Sequence, residues 1–240
     1  STSNSEAYDL YLQGRSHWNK RSPEEIVRSI EFFERAIKLD PSYGLAYVGL
    51  ADAYDVLAFY GAQPPKEVVP KWRDAAIRAL EIDDSLGEAH SSLAEARYLF
   101  EWDWAGAEKG FRRAIALNPG SATAHQWYSN YLSVLSRFDE SIVEIRLARQ
   151  LDPLNIVIRN DEGVAQIFAG NEEKGMALLR EAIRIDPSHP LPRIYLALCA
   201  ASRGETDVAM EQASEAKKLN DGDPDSVALY GYACARAGRR

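Results

Sequence analysis

One short segment recurs six times along the chain, and this recurrence limits the possible folds more than any other feature. The copies are AIKLDPS from Ala36, ALEIDDS from Ala79, AIALNPG from Ala114, ARQLDPL from Ala148, AIRIDPS from Ala182 and AKKLNDG from Ala216. Their spacings are 43, 35, 34, 34 and 34 residues. Spacing of this regularity indicates a chain built from stacked structural repeats.

Each copy marks the end of a helix, and a break halfway divides every repeat into two helices. A residue that precedes proline is pushed out of the α region, so Asp-Pro or Asn-Pro ends a helix. Apolar residues recur between these ends at intervals of three and four, which is the helical period. In the first halfway break, NKRSPEE, the residues Ser22, Pro23 and Glu25 fit a capped helix start.

The pattern predicts an all-α chain of thirteen helices, because no segment has the alternation of a strand. The predicted repeats cover residues 5–41, 42–84, 85–119, 120–153, 154–187 and 188–221. A final helix is predicted over 224–238, and the whole chain, 1–240, is predicted to form one repeat domain.

Two columns of small residues support this register, since small side chains let paired helices approach closely. The alanines of the six copies form the column on the second helices. The column on the first helices consists of Gly14, Ala51, Ala94, Ser129, Gly163, Ala197 and Gly231.

The 34-residue helix-turn-helix, the small-residue columns and the terminal Asp-Pro resemble the tetratricopeptide repeat (TPR). The resemblance covers residues 5–238 and implies a right-handed α-α superhelix (TPR solenoid) of six helix pairs plus one C-terminal helix. It also implies a concave groove lined by the first helix of each pair. Trp72 departs from the family pattern, in which a small residue is usual, and the first two repeats are about three and nine residues too long.

A narrower resemblance concerns the segments AYDLYLQGRSHWNKRSPE, LADAYDVLAFYGAQPPKEVVPK, EWDWAGAEKGFRRAIALNP and ATAHQWYSNYLSVLSRFDES. They resemble the repeat region of bacterial signalling proteins in which the repeats follow a winged-helix DNA-binding domain, an adenylate cyclase or a protein kinase. This implies a regulatory or sensory part of a larger protein, and the missing initiator Met suggests an excised piece. The compartment stays open between the cytoplasm and, if a membrane span lies upstream, the periplasm.

The composition argues against two classes of partner for this region. The formal net charge is −8, so the chain gains little from the counterion release that drives nucleic-acid binding. Its apolar runs are shorter than the ~20 residues of a transmembrane helix, which predicts no membrane insertion.

No pattern of catalytic, cofactor-binding or metal-binding residues is found, so the chain is predicted to be neither an enzyme nor dependent on a cofactor. His90 and His125 hold equivalent places in adjacent repeats, but no further ligands complete a zinc site. Helix packing is therefore the favoured interpretation of both. Cys199 and Cys234 lie in apolar helical patterns and are interpreted as small packing residues.

The candidate partner-binding residues are the side chains that the repeat register places on the groove. They are Tyr8, Tyr11, Arg15, Asp52, Asp55, Glu95, Gln126, Asn130, Asn160, Val164, Ile167, Ile194 and Leu198. The row changes from polar and acidic to apolar, and contiguous exposed apolar surface usually marks a binding site. A tighter superhelix, or cover by the terminal helix, would instead bury the apolar part. Asn160 either holds a peptide backbone amide or satisfies a neighbouring helix.

The favoured function is a non-catalytic module that binds a protein or peptide in this groove. Its acidic residues favour a basic or amine-bearing partner. One alternative is the substrate-recruiting arm of an enzyme whose catalytic domain lies outside the chain. The other is a self-associating scaffold that forms a homodimer through the C-terminal groove.

Two tryptophans, in the segment EWDWAG, lie at the turn inside the third repeat, which is one residue longer than those that follow. Trp104 aligns with Phe138 and is predicted to belong to the core. Asp103 is predicted to cap the second helix, and Trp102 is predicted to lie over the turn, partly exposed.

Overall fold

The structure is a computed structural model that describes residues 2–20, 22–59, 63–220 and 224–238. Within these ranges it contains thirteen α-helices, one π-helical turn and no strand. The chain divides into two compact units, Ser1–Trp127 and Tyr128–Arg240. The all-α prediction of six helix pairs followed by a C-terminal helix is confirmed for the described ranges, whereas the single repeat domain stays a prediction.

The first unit contains three complete helix pairs and the start of a seventh helix. Its helices are α1 (Ser5–Trp18), α2 (Pro23–Leu39), α3 (Gly44–Phe59), α4 (Pro65–Ile82), α5 (Gly87–Ala96), the π-turn (Arg97–Glu101), α6 (Trp104–Leu117) and α7 (Ala122–Val134). The two members of each pair pack against each other, α1 on α2, α3 on α4 and α5 on α6.

The second unit begins within α7 and contains the remaining helices. They are α8 (Phe138–Leu151), α9 (Ile156–Phe168), α10 (Glu172–Ile185), α11 (Leu191–Ser202), α12 (Thr206–Leu219) and α13 (Pro224–Arg236). Here α9 packs on α10, α11 on α12, and α13 on both α11 and α12. No described helix combines the length and hydropathy needed to cross a membrane.

Side-chain caps fix the starts of several helices, including two that were predicted. The Ser22 Oγ accepts a hydrogen bond from the Glu25 backbone N–H at 3.4 Å. Asp103 accepts one from the Gly106 N–H at 2.9 Å. Each cap satisfies a backbone donor that has no partner inside the helix.

Both small-residue columns lie where helices meet, with one exception. All six column alanines of the second helices have no exposed surface. A Cβ on Gly14 would lie 2.5 Å from the Phe33 Cε1, so only glycine fits there. Gly231 differs: it is exposed and a Cβ there would meet nothing within 4 Å. The prediction of close packing is wrong at Gly231, because no second helix of its own repeat packs on α13 in the described ranges.

Trp72, the departure from the family pattern, is fully buried in the first unit. Its indole Nε1–H donates to the Ser92 Oγ at 2.9 Å, and its ring meets Phe100 edge-on with 6.0 Å between centroids. The polar end of the indole is therefore satisfied, as a buried tryptophan requires.

The tryptophans of the third repeat differ in burial. Trp102 is 70% exposed and adopts a left-handed conformation with φ 56°. Trp104 is half-buried, with ring centroids 6.0 Å from Tyr98 and 5.8 Å from Trp102. Trp104 therefore lies at the margin of the core rather than inside it, because one side of its ring faces the exposed turn.

Candidate functional site

In the first unit, the acidic side chains predicted for the groove are buried. Asp52, Asp55 and Glu95 are 4%, 7% and 6% exposed. The Arg15 Nη1 lies 2.9 Å from the Asp52 Oδ2, and the Tyr98 hydroxyl donates to the Glu95 Oε1 at 3.1 Å. These three carboxylates therefore do not form the acidic surface that the sequence suggested, because neighbouring helices cover them.

Arg15 and Trp18, both on α1, join α1 to α3 at Asp52. Arg15 pairs with the Asp52 carboxylate, and the Trp18 Nε1–H donates to the Asp52 backbone oxygen at 3.0 Å. Within α1, the Arg15 guanidinium stands 4.2 Å from the centre of the Trp18 ring. A buried carboxylate needs such a charged partner to offset its loss of hydration. Arg15 and Asp52 thus hold the first two repeats together.

The tyrosines of α1 divide between surface and core. Tyr8 is 48% exposed. Tyr11 is half-buried, with its ring 6.0 Å from that of Phe33 and 5.4 Å from that of Tyr43. Burial raises the pKa of Tyr11 and of Tyr43 above the usual value. Gln126, near the end of this unit, is 4% exposed.

In the second unit, two asparagines of the predicted groove converge on Asp161. The Asn130 Nδ2 donates to the Asp161 Oδ2 at 3.2 Å, and the Asn160 Nδ2 donates to its Oδ1 at 3.1 Å. Asn160 is 1% exposed, and its Oδ1 has no hydrogen-bond partner among the residues that the structure describes. The side chain thus presents a buried acceptor whose bonding capacity is unused.

The apolar part of the predicted row lies on α9 and α11, which are in contact. Val164, Ile167 and Ile194 are half-buried, and Leu198 is 42% exposed. Ile167 packs tightly, since its Cγ1 would lie 2.5 Å from a Cβ built on Gly175. Of this row, Leu198 presents the most apolar surface to solvent.

Two further side chains near this row were not predicted. Phe168, at the end of α9, is 55% exposed. Gln166 is 1% exposed, accepts a hydrogen bond from the Asn171 Nδ2 at 3.1 Å, and has an Nε2 without a partner in the described part of the chain. The predicted register missed both because it took residues at intervals of three and four from Asn160, whereas Gln166 and Phe168 flank Ile167.

An ion pair between a buried glutamate of α9 and partly exposed arginines of α8 connects these two helices. Glu162 is 2% exposed, and its Oε2 lies 2.8 Å from the Arg149 Nη1. The Arg146 Nε lies 3.9 Å from the other carboxylate oxygen. No pattern in the sequence signals this pair, since a glutamate inside a helix is ordinarily solvated.

His90 and His125 make a side-chain contact to a turn carbonyl that recurs at the equivalent position of four repeats. The His90 Nε2 lies 2.9 Å from the Asp84 backbone oxygen, and the His125 Nε2 lies 3.1 Å from that of Pro119. In the next two repeats the same place holds arginine, which donates to the carbonyl of Pro153 or Pro187. Each side chain thereby ties a first helix to the turn before it. Within the described ranges, no group of three or more His, Cys, Asp and Glu side chains could hold a metal ion.

A curated relative matches part of this chain in sequence. No profile of a known protein family matches. The transcriptional regulator HilA of Salmonella typhimurium is 23% identical over 144 residues, which cover 60% of this chain and 26% of that protein. The aligned part thus spans about a quarter of the regulator's length.

Several solved structures match a larger part of this chain than the sequence relative does. TTC0263, a TPR protein of Thermus thermophilus, is 19% identical, with a TM-score of 0.65 over 75% of this chain and 97% of its own. PilW, a type IV pilus biogenesis factor, is 13% identical, with a TM-score of 0.65 over 95% and 99%. The APC/C hetero-tetramer Cut9-Hcn1 is 13% identical, with a TM-score of 0.67 over 95% and 46%. Together with the 34-residue period and the buried small-residue columns, these likenesses show that the chain has the fold of the tetratricopeptide-repeat proteins.

Proposed function

We propose that the chain is a protein-interaction module whose second unit binds a peptide or protein on the first-helix faces of α9 and α11. Stacked helix pairs present the first helix of each pair as an extended binding surface. In the second unit this surface combines half-buried aliphatic side chains with a polar atom that has no partner among the described residues. The partner is therefore one that offers apolar side chains together with a hydrogen-bond donor.

The observation that carries the proposal is the Oδ1 of Asn160, which is unpaired within the described ranges. An acceptor buried without a partner costs about 1–3 kcal/mol of stability. A residue of this kind is unfavourable for the fold alone, whereas a backbone N–H of a bound peptide would satisfy it. The Asn160 Nδ2 is already held by Asp161, which leaves the oxygen as the atom without a partner in the described ranges; because Asn160 is 1% exposed, a peptide N–H reaches this oxygen only when neighbouring side chains move aside.

Apolar contacts would supply the remaining affinity. Val164 and Leu198 occupy the same register on α9 and α11, and Phe168 adds an exposed ring at the end of α9. Exposed apolar side chains grouped in this way usually mark a binding surface. Because the carboxylates of the first unit are buried, they give no support to a basic partner.

A regulatory role in a larger bacterial signalling protein forms part of the proposal. The support is the likeness to a transcriptional regulator, of which the aligned region is a minor part. The partner would then be a protein or peptide whose binding alters the activity of a domain joined to this chain.

Peptides selected from a random display library against the wild-type chain provide a probe for this face. We expect Leu198→Arg to weaken their binding roughly tenfold or more, because a charge replaces an apolar contact. Asn160→Leu should also lower the affinity, because it removes the acceptor; it removes the hydrogen bond to Asp161 as well, so the stability should stay within about 1 kcal/mol of the wild type. Isothermal titration calorimetry and thermal unfolding measure the two effects.

Ile185→Arg is the matched control. Ile185 is 53% exposed on α10, a second helix, so the same charge is introduced outside the proposed face. Its peptide affinity should equal that of the wild type. Peptides that bind Leu198→Arg as tightly as the wild type would contradict the proposal and move the binding surface elsewhere, with the exposed Tyr8 as the next position to test.

A further inference from the structure

The outer face of α8 carries a stripe of apolar side chains that are exposed to solvent. Val143, Leu147, Leu151 and Leu154 are 56%, 37%, 44% and 89% exposed. Residues at intervals of four share one face of a helix, and Leu154 lies in the turn that follows. The four side chains therefore form a continuous strip, which is called the α8 stripe below.

The other repeats show what normally occupies these places. Where α8 has Val143, the five equivalent residues are Glu31, Asp74, Lys109, Ala177 and Glu211. Where it has Leu147, they are Arg35, Arg78, Arg113, Glu181 and Glu215. Where it has Leu154, they are Ser42, Ser85, Gly120, Ser188 and Gly222. Leu151 alone is matched by leucine or isoleucine in every copy.

Three solvent-facing positions of one repeat have therefore become aliphatic together, whereas the repeat elsewhere keeps them charged, polar or small. The fold does not require the change, since five repeats form the same helix without it. Water is a poor environment for a strip of this kind, and such patches usually mark interfaces. We therefore expect the α8 stripe to pack against the surface of a partner.

We propose that the α8 stripe is a self-association surface on which a second copy of this chain packs its own α8 in antiparallel orientation. The charges on α8 favour this occupant, because Asp139 and Glu144 lie in its first half and Arg146 and Arg149, which share the single carboxylate of Glu162, lie in its second. An antiparallel pair brings the acidic half of each helix beside the basic half of the other. A parallel pair would bring like charges together, which is unfavourable.

Such a pair has twofold symmetry, so each copy uses the same patch. With the axis near Leu147, this residue meets its own counterpart, and Val143 of each copy lies on Leu151 of the other. One helix face offers less than the ~800 Å² per partner of standard interfaces, so the dimer should be weak and form at micromolar concentrations. The surface is distinct from the first-helix face that the proposed function uses.

Sedimentation equilibrium over ~5–200 µM tests the association, because a micromolar dimer dissociates across that range. We expect the wild type to dimerise and Leu147→Arg to raise the dissociation constant roughly tenfold or more. The variant should fold normally, since three other repeats carry arginine there, and circular dichroism checks this. Val227→Arg, at a residue 46% exposed on α13, is the control and should dimerise like the wild type.

Two results would overturn the proposal. A wild-type chain that stays monomeric throughout the range would leave the stripe to a different protein. A Leu147→Arg variant that dimerises as well as the wild type would place self-association on another surface.

Cysteine cross-linking tests the orientation, because a disulfide needs Cα atoms within about 7 Å. In the antiparallel pair, Leu147→Cys should form a disulfide dimer, whereas Val143→Cys should do so only when mixed with Leu151→Cys. The wild type, with its native Cys199 and Cys234, is the blank. Self-coupling of Val143→Cys as efficient as that of Leu147→Cys would indicate a parallel pair and reject the arrangement.

Discussion

Within the described ranges, five residues that follow a first helix or the final helix adopt a left-handed backbone, four of them at the turn between paired helices and the fifth after α13. These residues follow one another at intervals of 34 along the chain. They are Trp102 (φ 56°), Ser136 (φ 60°), Gly170 (φ 82°), Gly204 (φ 76°) and Gly238 (φ 67°). Glycine adopts this conformation without the strain that a Cβ introduces. The turn is therefore retained even where a tryptophan or serine must bear that strain.

The same substitution should have opposite effects at two glycines of the second unit. A Cβ would meet nothing within 4 Å at either Gly170 or Gly231, so only the backbone conformation distinguishes them. Gly170→Ala should cost about 1 kcal/mol, because alanine is strained at positive φ. Gly231→Ala should add about 1 kcal/mol, because this glycine lies inside α13. Urea unfolding measures both.

Ser136→Gly provides an independent check on the turn. It removes a Cβ from a left-handed position and should stabilise the chain by up to about 1 kcal/mol. If Gly170→Ala and Gly231→Ala changed the stability in the same direction, backbone conformation could not be the cause.

At the scale of helices, the π-turn shows how one extra residue is accommodated. Eight positions separate Ala94 from Trp102, whereas seven separate Ser129 from Ser136 and Gly163 from Gly170. The structure places the additional residue in Arg97–Glu101, the wider turn that extends α5. A π-helical turn takes up a one-residue insertion without breaking the helix. Phe100, within this turn, meets the ring of Trp72.

The sequence predicted those features that depend on local pattern. The helix pairs, the caps at Ser22 and Asp103 and the buried alanine column follow from spacing, capping and side-chain size, and the structure confirms them. The extra residue of the third repeat was predicted to lie in the turn that holds Trp102, whereas the structure accommodates it just before that turn, in the π-turn Arg97–Glu101. The burial of Asp52 and Glu95 depends on how neighbouring helices tilt, which no spacing within a repeat determines.

The alanine column of the second helices should be sensitive to side-chain size. Ala148 has no exposed surface, so Ala148→Leu would force apart the helices around α8 and should cost about 1–3 kcal/mol. Ala177→Leu makes the same change at an exposed position of α10 and should leave the stability within about 0.5 kcal/mol. Thermal unfolding of both variants measures the contrast. An unchanged transition for Ala148→Leu would mean that the column is not tightly packed.

At the scale of the whole chain, the turns between repeats carry a set of carboxylates with similar surroundings. The side chains of Asp40, Asp83 and Asp186 each accept hydrogen bonds from the serine two residues later. These bonds lower the pKa of each aspartate below its ordinary value. Asn118 holds the equivalent turn of the third repeat with an amide oxygen, which does not titrate.

These lowered values make the stability of the chain depend on acid pH. A group whose pKa is lower in the folded state binds fewer protons when folded, so protonation favours unfolding. The stabilisation from each aspartate is complete at pH values above its unfolded-state pKa of about 3.9. It is lost as the pH falls through the lower pKa of the folded state. Glu25 adds to the effect, since hydrogen bonds from Lys20 and His17 lower its pKa to about 2.

Replacing all three turn aspartates with asparagine should therefore reduce how much the free energy of unfolding falls at acid pH. The Asp40→Asn, Asp83→Asn, Asp186→Asn variant keeps an acceptor oxygen at each turn, as Asn118 does, but no longer titrates there. Urea unfolding at a series of pH values between about 7 and 3 should show a smaller loss of stability for this variant than for the wild type. Glu25 remains in both chains, so some acid sensitivity should persist. Equal losses in the two chains would show that the turn carboxylates are not what links the folding of these repeats to pH.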